Sequence, residues 1–438
     1  MSKPKGLRVG RYRITPLGLT TLAVLLVLIL GGAGMAIFNP FGGPDSPFAP
    51  EPTPTPTIDP ATITPTPTPA PTPTPSPTPE PQPRSARIRS LGEIAMQTNL
   101  LKAATTDGGQ TFDFSDMFSY ISEVMGNADY TVADVEGTMG GKAKLSGGDK
   151  MITPPILIQN LKDCGVDMLM VANDHALDGG FDEEQAMLAN IRAAGMDYVG
   201  GATSADEKKR PVIKSINGIN VAFLAYTDTL HGREKKTSSD AKKFGVNLVT
   251  RSNPAKEVKA ARDAGADIVV VYMSWGKMFK RDVTDDQKKI GQQFIKAGAD
   301  VIIGYGPHVV QPIMWADAPA DKSGNIHRTL VACATGNFLS DQREQYADSG
   351  IIFEFTIRET APGSGKYAIV NPVYIPTYVW RSQGETDGSY TYRTVACGQW
   401  LEEQPEGMSY GTDVTRMRAV WAEVQSVIGA DIATVAAE

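Results

Sequence analysis

The sequence is poor in the residues that build disulfide frameworks and thiolate metal sites. Its 438 residues include three cysteines, Cys164, Cys333 and Cys397, which are far apart and form no CxxC pair. This arrangement argues against a disulfide scaffold and against a zinc–thiolate site, and it favours buried thiols. Histidine is nearly as scarce, with four residues in the chain. A site that needs imidazole must therefore be built from these four.

Acidic residues are absent from the first 13 positions, which carry five positive charges, and charge of either sign is absent from residues 17–38. A helix needs about 20 apolar residues to cross the core of a bilayer, so this segment is long enough. The positive flank predicts a cytoplasmic N-terminus and an exported remainder. We expect a cytoplasmic tail at 1–13 and a transmembrane helix at 14–40. A cleaved signal peptide is the alternative, although its apolar region usually has about 7–15 residues.

Residues 41–84 lack a hydrophobic period and have proline at nearly every second position over much of their length. Such a run favours the polyproline II conformation, which rises about 3.1 Å per residue. We interpret it as a Pro/Thr-rich stalk, either a stiff spacer or a disordered linker. The stalk precedes a globular part, which we divide into an α/β domain at 85–400 and a C-terminal helical extension at 401–438.

The globular part lacks an excess of positive charge. The whole chain has a net charge of −7, and the part beyond the five N-terminal positive charges has about −12. This balance argues against a nucleic-acid partner and against simple electrostatic capture of a polyanion. Because this part follows the membrane segment, we expect it to be extracellular.

One pattern recurs in the globular part: an amphipathic helix, a glycine turn, an aspartate, a β-branched strand and a polar loop. It begins at Leu161, Ala261 and Ile295, with a partial copy at Ile191. Continuously apolar strands that alternate with helices are typical of a sheet buried on both faces, so we predict an α/β fold. Further strands are predicted at 86–93, 128–136, 218–226, 330–337 and 350–357.

Two of the four histidines lie in the loops that follow predicted strands. Ligands gather at the carboxyl ends of the strands in such sheets, and these loops contain His175 and His308. A loop histidine can also simply cap a turn, but the two together favour a site. The other two, His231 and His327, lie in polar segments, and we expect them to be exposed to solvent.

Taken in order, these segments resemble the CapA family of poly-γ-glutamate capsule synthesis proteins, which have a calcineurin-like metallophosphoesterase fold. The most specific segments are NDHALDGG at 173–180, GPHVVQPI at 306–313 and ATGNFLSDQ at 334–342. They are similar to the family patterns NNHxxDxG, GHHPHxxQ and SLGNFxxDQ. The resemblance covers residues 86–385 and implies a layered sandwich of β-sheets flanked by helices. A membrane anchor before the domain is also typical of the family.

The sequence departs from the family pattern at several positions of the presumed metal site. Glu93 stands where the family has aspartate, and Asp174 stands where it has the second asparagine of NNH. Asp134 replaces the asparagine of Asn-Leu-Glu, and three family histidines are replaced. Those three positions are Ser274, Tyr305 and Gly306.

The resemblance therefore implies a degenerate metal site. The residues that remain as candidate ligands are Glu93, Glu136, Asn173, His175 and His308. A dinuclear hydrolase holds two ions about 3.5–4 Å apart, and the lost imidazoles argue against two ions here. The oxygen-rich remainder suits one divalent cation, Mn²⁺, Mg²⁺ or Ca²⁺, and a site without metal is the alternative.

Other residues of these loops are candidates for catalysis and binding. His175 or His308 could act as a general base, with Asp178 or Asp174 orienting the imidazole. We assign substrate binding to Asn337, Trp275 and Asp174, and we expect Asn337 to fix a tight turn near the site. The alternative is that the histidines are relic turn residues without a catalytic role.

Three functions are consistent with these residues. The first is a membrane-anchored surface protein in synthesis, export or anchoring of an anionic polymer such as poly-γ-glutamate, with the polymer or its synthesis complex as partner. The second is an active metal-dependent hydrolase of a phosphoester, amide or ester. The third is a non-catalytic binding or scaffold module. The lost imidazoles favour a site without strong hydrolase activity.

Overall fold

The computed structural model describes residues 81–435 except 108–109, 236, 321–322, 325, 385–387, 403 and 410, together with two short strands near the N-terminus. The chain divides into the units Met1–Pro77 and Thr78–Glu438. The predicted transmembrane helix at 14–40 and most of the predicted stalk lie outside the described residues. Within the part that is described, no helix is both long and apolar enough to cross a membrane.

The strands range from two-residue bridges to a strand of 17 residues. In chain order they are β1 Arg8–Val9, β2 Tyr12–Arg13, β3 Ser85–Ile94, β4 Thr105–Thr106, β5 Thr111–Phe112, β6 Tyr130–Val135, β7 Ser146–Gly147, β8 Met151–Ile152, β9 Met168–Met170, β10 Asp197–Val199, β11 Val212–Ile216, β12 Ile219–Thr227, β13 Ile268–Ser274, β14 Val301–Tyr305, β15 Ile313–Asp317, β16 Arg328–Ala332, β17 Asn337–Leu339, β18 Ser349–Glu359, β19 Tyr367–Gln383, β20 Tyr390–Ala396 and β21 Ala433–Thr434.

The α-helices lie between these strands. They are α1 Thr98–Ala103, α2 Ser122–Gly126, α3 Ile156–Asp163, α4 Phe181–Ala193, α5 Ala205–Lys208, α6 Pro254–Asp263, α7 Asp285–Ala297 and α8 Asp413–Ile428. Helix α7 shows how the local sequence sets an element. Thr284 and Gln287 form a capping box at its start, and Gly298 ends it in the left-handed conformation that glycine adopts without steric cost.

Two sheets form the frame of the second unit. The first sheet has the order β10-β9-β6-β3-β18-β19-β20, and β17 and β21 pair with β3 and β19. The second sheet has the order β11-β12-β13-β14-β16-β15. Neighbours among β3, β6, β9 and β10 are parallel, as are neighbours among β12, β13, β14 and β16.

The two sheets pack against each other across a shared hydrophobic core. Val132 and Phe353 of the first sheet and Val270 and Ile303 of the second are among its members. A second cluster joins the other face of the first sheet to α3 and α4, and a third joins the other face of the second sheet to α6 and α7. The predicted layered α/β sandwich of sheets flanked by helices is therefore confirmed. Helix α8 packs in the shared core.

The predicted strand at 330–337 is wrong as a single element. The chain leaves the second sheet after β16 and enters the first sheet at β17. Gly336 makes this crossing possible, because it adopts a φ of +67° and an added Cβ would lie 2.8 Å from the Ser349 carbonyl oxygen. The crossing brings Asn337 to the end of β3, where Asn337 pairs with Glu93.

Candidate metal centre

Acidic residues of the first sheet lie at the carboxyl ends of neighbouring parallel strands. Glu93 is the second-last residue of β3, Asp134 is the second-last residue of β6, and Glu136 follows β6 directly. His308 follows β14 of the second sheet. Because the two sheets pack face to face, these strand ends meet at one edge of the sandwich.

Glu93, Glu136 and His308 form a compact group that we call the inner set. One ligand atom from each lies within 4.8 Å of the others. His308 Nδ1 is 3.0 Å from Glu93 Oε2 and 3.6 Å from Glu136 Oε1. The backbone N–H of His308 also donates to Glu93 Oε1 at 3.2 Å. All three residues are buried.

The orientation of His308 is fixed by its surroundings. Its φ of 59° is rare for a residue with a side chain. Its Nδ1 lies 3.2 Å from Asn337 Oδ1. The Asn337 amide in turn donates to Gln342 Oε1 and to the Ala347 carbonyl oxygen, both at 2.8 Å. Asn337 is thus placed to position His308, and its predicted role in substrate binding stays a prediction.

The inner set contains more buried negative charge than its neighbours neutralise. Glu136 Oε2 and the nearby Asp134 Oδ2 accept no hydrogen bond from any described residue, whereas Glu93 Oε2 has His308 Nδ1 3.0 Å away. Burial raises the pKa of Asp134 and of Glu136 well above the ordinary carboxyl range. Burial opposes a charged imidazole at His308, but Glu136 and Glu93 outweigh it and raise the pKa of His308 to about 10. Buried oxygens without donors are what a bound cation would satisfy.

Asn173 lies beside the inner set but uses its amide for structural bonds. It donates to Asp134 Oδ1 at 3.2 Å and to the Val135 carbonyl oxygen at 2.9 Å. Its Oδ1 accepts from the Gly137 N–H at 3.3 Å. Asn173 thereby ties the loop after β9 to the end of β6. Its predicted role as a metal ligand stays a prediction.

Asp174, His175 and His231 form a second group, which we call the outer set. Their ligand atoms also lie within 4.8 Å of one another. His231 Nε2 is 2.5 Å from Asp174 Oδ2, and the rings of His175 and His231 have centroids 4.6 Å apart. Burial raises the pKa of Asp174, but the hydrogen bond from His231 and the nearby histidines outweigh it and lower that pKa.

The predicted pairing of His175 with an orienting carboxylate is confirmed for Asp178. His175 Nδ1 is 2.6 Å from Asp178 Oδ2. The Met151 N–H donates to the same oxygen at 2.6 Å, and Arg233 lies 3.0 Å from Asp178 Oδ1. Asp178 is therefore fixed on three sides and leaves Nε2 of His175 as the nitrogen not engaged with it.

Histidines of both sets line one cavity of about 510 Å³. Its lining includes His175, His231 and His308, with Arg233 and Met278 at other points of the wall. The loops of His175 and His308 therefore face a common cleft, as expected. Glu93 and Glu136, which were expected on its floor, are buried next to His308 and are not among the lining residues. Arg233 is the one cationic side chain among these lining residues, apart from the histidines.

His231 is the cavity residue that the sequence analysis missed, since it was expected to be solvated. Its side chain is 39% exposed, as expected, but it also forms an ion pair with Asp174. His231 follows β12, a parallel strand of the second sheet. The rule that loops after parallel strands carry ligands would have selected it, had it been applied to β12 as well.

The prediction that Trp275 binds substrate in this cavity is not supported by its position. Its indole is 3% exposed and donates to the Cys333 carbonyl oxygen at 2.9 Å. It lines a separate, largely apolar pocket of about 240 Å³ beside α7. The neighbouring Gly306, where the family has histidine, has a φ of +105°, and an added Cβ would lie 2.7 Å from the Trp275 carbonyl oxygen. The backbone here excludes a side chain.

The residues present fit a divalent cation. The inner set offers two carboxylates and one imidazole, and the unsatisfied Asp134 oxygen is nearby. Oxygen-rich sets of this kind suit Mn²⁺ and Mg²⁺, whereas sets richer in imidazole suit Zn²⁺ and related ions. The fold and this site together define an α/β sandwich protein with a carboxylate-rich candidate metal centre.

Comparison with known proteins gives the family. The chain belongs to the family of bacterial capsule synthesis proteins, PGA_cap, whose pattern matches residues 87–342, more than half of the chain. It is 26% identical over 285 residues to the PGA biosynthesis protein CapA of Bacillus subtilis (strain 168), a match that covers 64% of this chain and 69% of that protein.

Two further similarities are weaker. The chain is 25% identical over 248 residues to the capsule biosynthesis protein CapA of Bacillus anthracis, which covers 56% of this chain and 58% of that protein. Among solved structures, the calcineurin-like phosphoesterase YfkN from Bacillus subtilis is 10% identical, with a TM-score of 0.37 over 78% of this chain and 98% of that one. A score of this size supports no conclusion about activity.

Proposed function

We propose that this protein is a membrane-anchored, extracellular member of the capsule synthesis family. It acts in synthesis, export or anchoring of an anionic polymer such as poly-γ-glutamate, and the inner set holds one divalent cation that this action requires. The polymer follows from the names of the similar proteins, and the anchor follows from the apolar segment at 17–38. Family membership is the starting point of the proposal.

A single observation carries the metal-dependent part of the proposal. Two buried carboxylate oxygens near His308, Asp134 Oδ2 and Glu136 Oε2, lack a hydrogen-bond donor among the described residues, and a third, Glu93 Oε2, has the His308 imidazole 3.0 Å away. A buried, unpaired carboxylate costs several kcal/mol, so such a cluster persists only where a proton or a cation compensates it. A polar group whose sole role was to end a turn would have its oxygens satisfied by backbone donors.

The residues around the cavity have different proposed roles. Glu93, Glu136 and His308 would hold the cation, which when bound supplies electrostatic stabilisation of negative charge on a substrate oxygen. Asn337 orients the His308 imidazole, and Asp178 orients that of His175. Arg233 lies in the cavity wall, where its guanidinium pairs with Asp178 and helps to hold that carboxylate in place.

Removal of one inner carboxylate tests the proposal. We expect the full-length Glu136→Gln variant to lose binding of Mn²⁺ at least about 100-fold and to abolish polymer output in a capsule-forming host, because ligand loss exceeds the roughly 10–100-fold effect of outer-shell changes. Glu123→Gln is the matched control, since Glu123 is exposed on α2. Normal polymer output from a host with normal amounts of Glu136→Gln protein would sink the proposal.

A metal-dependent hydrolase is the second candidate. The His175–Asp178 pair favours it, because a carboxylate that holds Nδ1 leaves Nε2 to exchange a proton with a substrate or water. Hydrolysis of phosphoester, amide or ester probes by the full-length chain, lost in His175→Gln but retained in His327→Gln, would favour this function. Polymer output that survives His175→Gln would instead separate the capsule role from hydrolysis.

A further inference from the structure

We infer that Asp174, His175 and His231 bind a second divalent cation, of the kind that prefers imidazole nitrogen. The inference deepens the proposed function, since histidines of both sets line the same cavity. It also revises the expectation of a single ion, which rested on the histidines that this chain lacks at Ser274, Tyr305 and Gly306. His231 supplies an imidazole from a different loop.

The first support is geometric. The three side chains come from two loops, the one after β9 and the one after β12, yet a ligand atom from each lies within 4.8 Å of the others. The 4.6 Å between the centroids of the His175 and His231 rings brings two imidazoles to one point beside Asp174. Two nitrogens and one oxygen at this spacing are three of the four positions that a tetrahedral ion requires.

The second support is an unsatisfied group. Asp174 Oδ1 is buried and accepts no hydrogen bond from the described residues, although Oδ2 is bonded to His231. The Asp174 side chain is 16% exposed, so water has little access to it. A simple surface ion pair would leave the second oxygen in solvent, where it would need no partner.

The third support is the way His175 is held. Metal-bound histidines donate their other ring nitrogen to a carboxylate or carbonyl, which fixes the ring. His175 has this arrangement, with Nδ1 2.6 Å from Asp178 Oδ2. Asp178 is itself held by the Met151 N–H and by Arg233, so its position does not depend on His175.

The charge balance is consistent with a cation. Asp174 and Asp178 carry two negative charges, and Arg233 neutralises that of Asp178 at 3.0 Å. Asp174 has an ion pair with His231, and its other oxygen accepts no hydrogen bond from the described residues. The inner and outer sets therefore differ in kind, because the outer set has two imidazoles and one carboxylate and the inner set has the reverse. The outer set should therefore prefer Zn²⁺ or Co²⁺, whereas the inner set should prefer Mn²⁺ or Mg²⁺.

Titration of the full-length, metal-free chain with Co²⁺ tests the inference, with bound metal counted and the visible absorption of the ion recorded. We expect two equivalents in the wild type and one in His231→Gln, which loses one of the two absorption components. His327→Gln is the matched control and should keep two, since His327 lies elsewhere, bonded to the Ala299 carbonyl oxygen. Asp174→Asn, which keeps the size of the side chain, should also reduce binding to one equivalent.

The outcomes separate this inference from the proposed function. One equivalent in the wild type, lost in Glu136→Gln and unaffected by His231→Gln, would overturn the inference and leave the inner site intact. Two equivalents in both His231→Gln and Asp174→Asn would also overturn it. No bound metal in the wild type would contradict both proposals.

Discussion

The two sheets pack against one core but differ in the charge that they bury. Among the described residues, the strands of the first sheet bury five charged side chains, and the strands of the second sheet bury none. The five are Arg89, Glu93, Asp134, Glu354 and Glu359. The second sheet contributes to the cavity through the loops that carry His231 and His308.

This difference shows how one fold can keep a site while it changes the ligands. Carboxylates buried in strands are tied to the backbone register of the first sheet, where Asp134 pairs with Glu93 and Asn337 with Glu93. The departures from the family pattern in the second sheet remove imidazoles: Ser274 and Tyr305 end β13 and β14, and Gly306 follows β14. The departures in the strands of the first sheet, Glu93 and Asp134, are both carboxylates. His231 is a loop residue that brings an imidazole back to the same cavity.

The largest expected effect comes from the buried charge of the first sheet. Arg89 Nε lies 2.9 Å from Glu354 Oε2, and the pair is almost fully buried. We expect Arg89→Met to lower the free energy of unfolding by about 3–5 kcal/mol, because it leaves the Glu354 carboxylate buried and unpaired. Urea denaturation of the full-length chain measures this.

An exposed ion pair on the helical layer of the second sheet provides the control. Lys259 Nζ lies 2.5 Å from Asp263 Oδ2 on α6, and the two side chains are 72% and 61% exposed. Lys259→Met should change the free energy of unfolding by less than about 0.5 kcal/mol. Equal effects of Arg89→Met and Lys259→Met would remove the distinction between the sheets.

The next effect concerns pH. In the metal-free chain, burial raises the pKa of Asp134 and Glu136, and Glu136 and Glu93 raise that of His308 to about 10. All three bind protons more tightly in the folded state, so their contribution is present at low pH and is lost as the pH rises. The midpoint temperature of thermal unfolding should therefore decrease as the pH is raised from about 5 to about 9.

A saturating divalent cation should flatten this pH dependence. The cation replaces the protons of Asp134, Glu136 and His308, and at about 100 times its Kd it adds about 2.7 kcal/mol to the free energy of unfolding. Thermal unfolding at several pH values with and without Mn²⁺ makes the comparison. A metal-free midpoint that rises over this range would contradict the assignment of buried, protonated groups to the first sheet.

The smallest of the three effects concerns the crossing between the sheets. Asn337→Ala removes the amide that lies 3.2 Å from His308 Nδ1, so we expect Mn²⁺ affinity to fall by about 10–100-fold. The free energy of unfolding should change less than in Arg89→Met, and Asn337→Asp should recover part of the affinity because it keeps an oxygen at that position. Unchanged Mn²⁺ affinity in Asn337→Ala would show that β14 alone positions His308.

The parallel strands and the convergence of His175, His308, Glu93 and Glu136 could be predicted from the sequence. Short apolar strands that alternate with helices place their carboxyl ends at one edge, whatever the details of packing. The sheet change at Gly336 could not be predicted, because only the tertiary structure decides which sheet each part of 330–337 joins.

The directions in which the Trp275 and His231 side chains point could not be predicted from the sequence either. Trp275 follows β13 in the same manner as His308 follows β14, yet its indole turns into the helical layer and bonds the Cys333 carbonyl oxygen. His231 lies in a polar segment, and the sequence does not reveal that Asp174 draws it into the cavity. Both outcomes depend on partners that are distant in sequence.

The position of a bound ion tests the central claim most directly. A crystal of the full-length chain soaked in Mn²⁺, measured for anomalous scattering, should give a peak among Glu93, Glu136 and His308, within about 2.6 Å of their ligand atoms. The absence of a peak there at saturating Mn²⁺, in crystals that keep these side chains ordered, would contradict the claim that the inner set is a metal site.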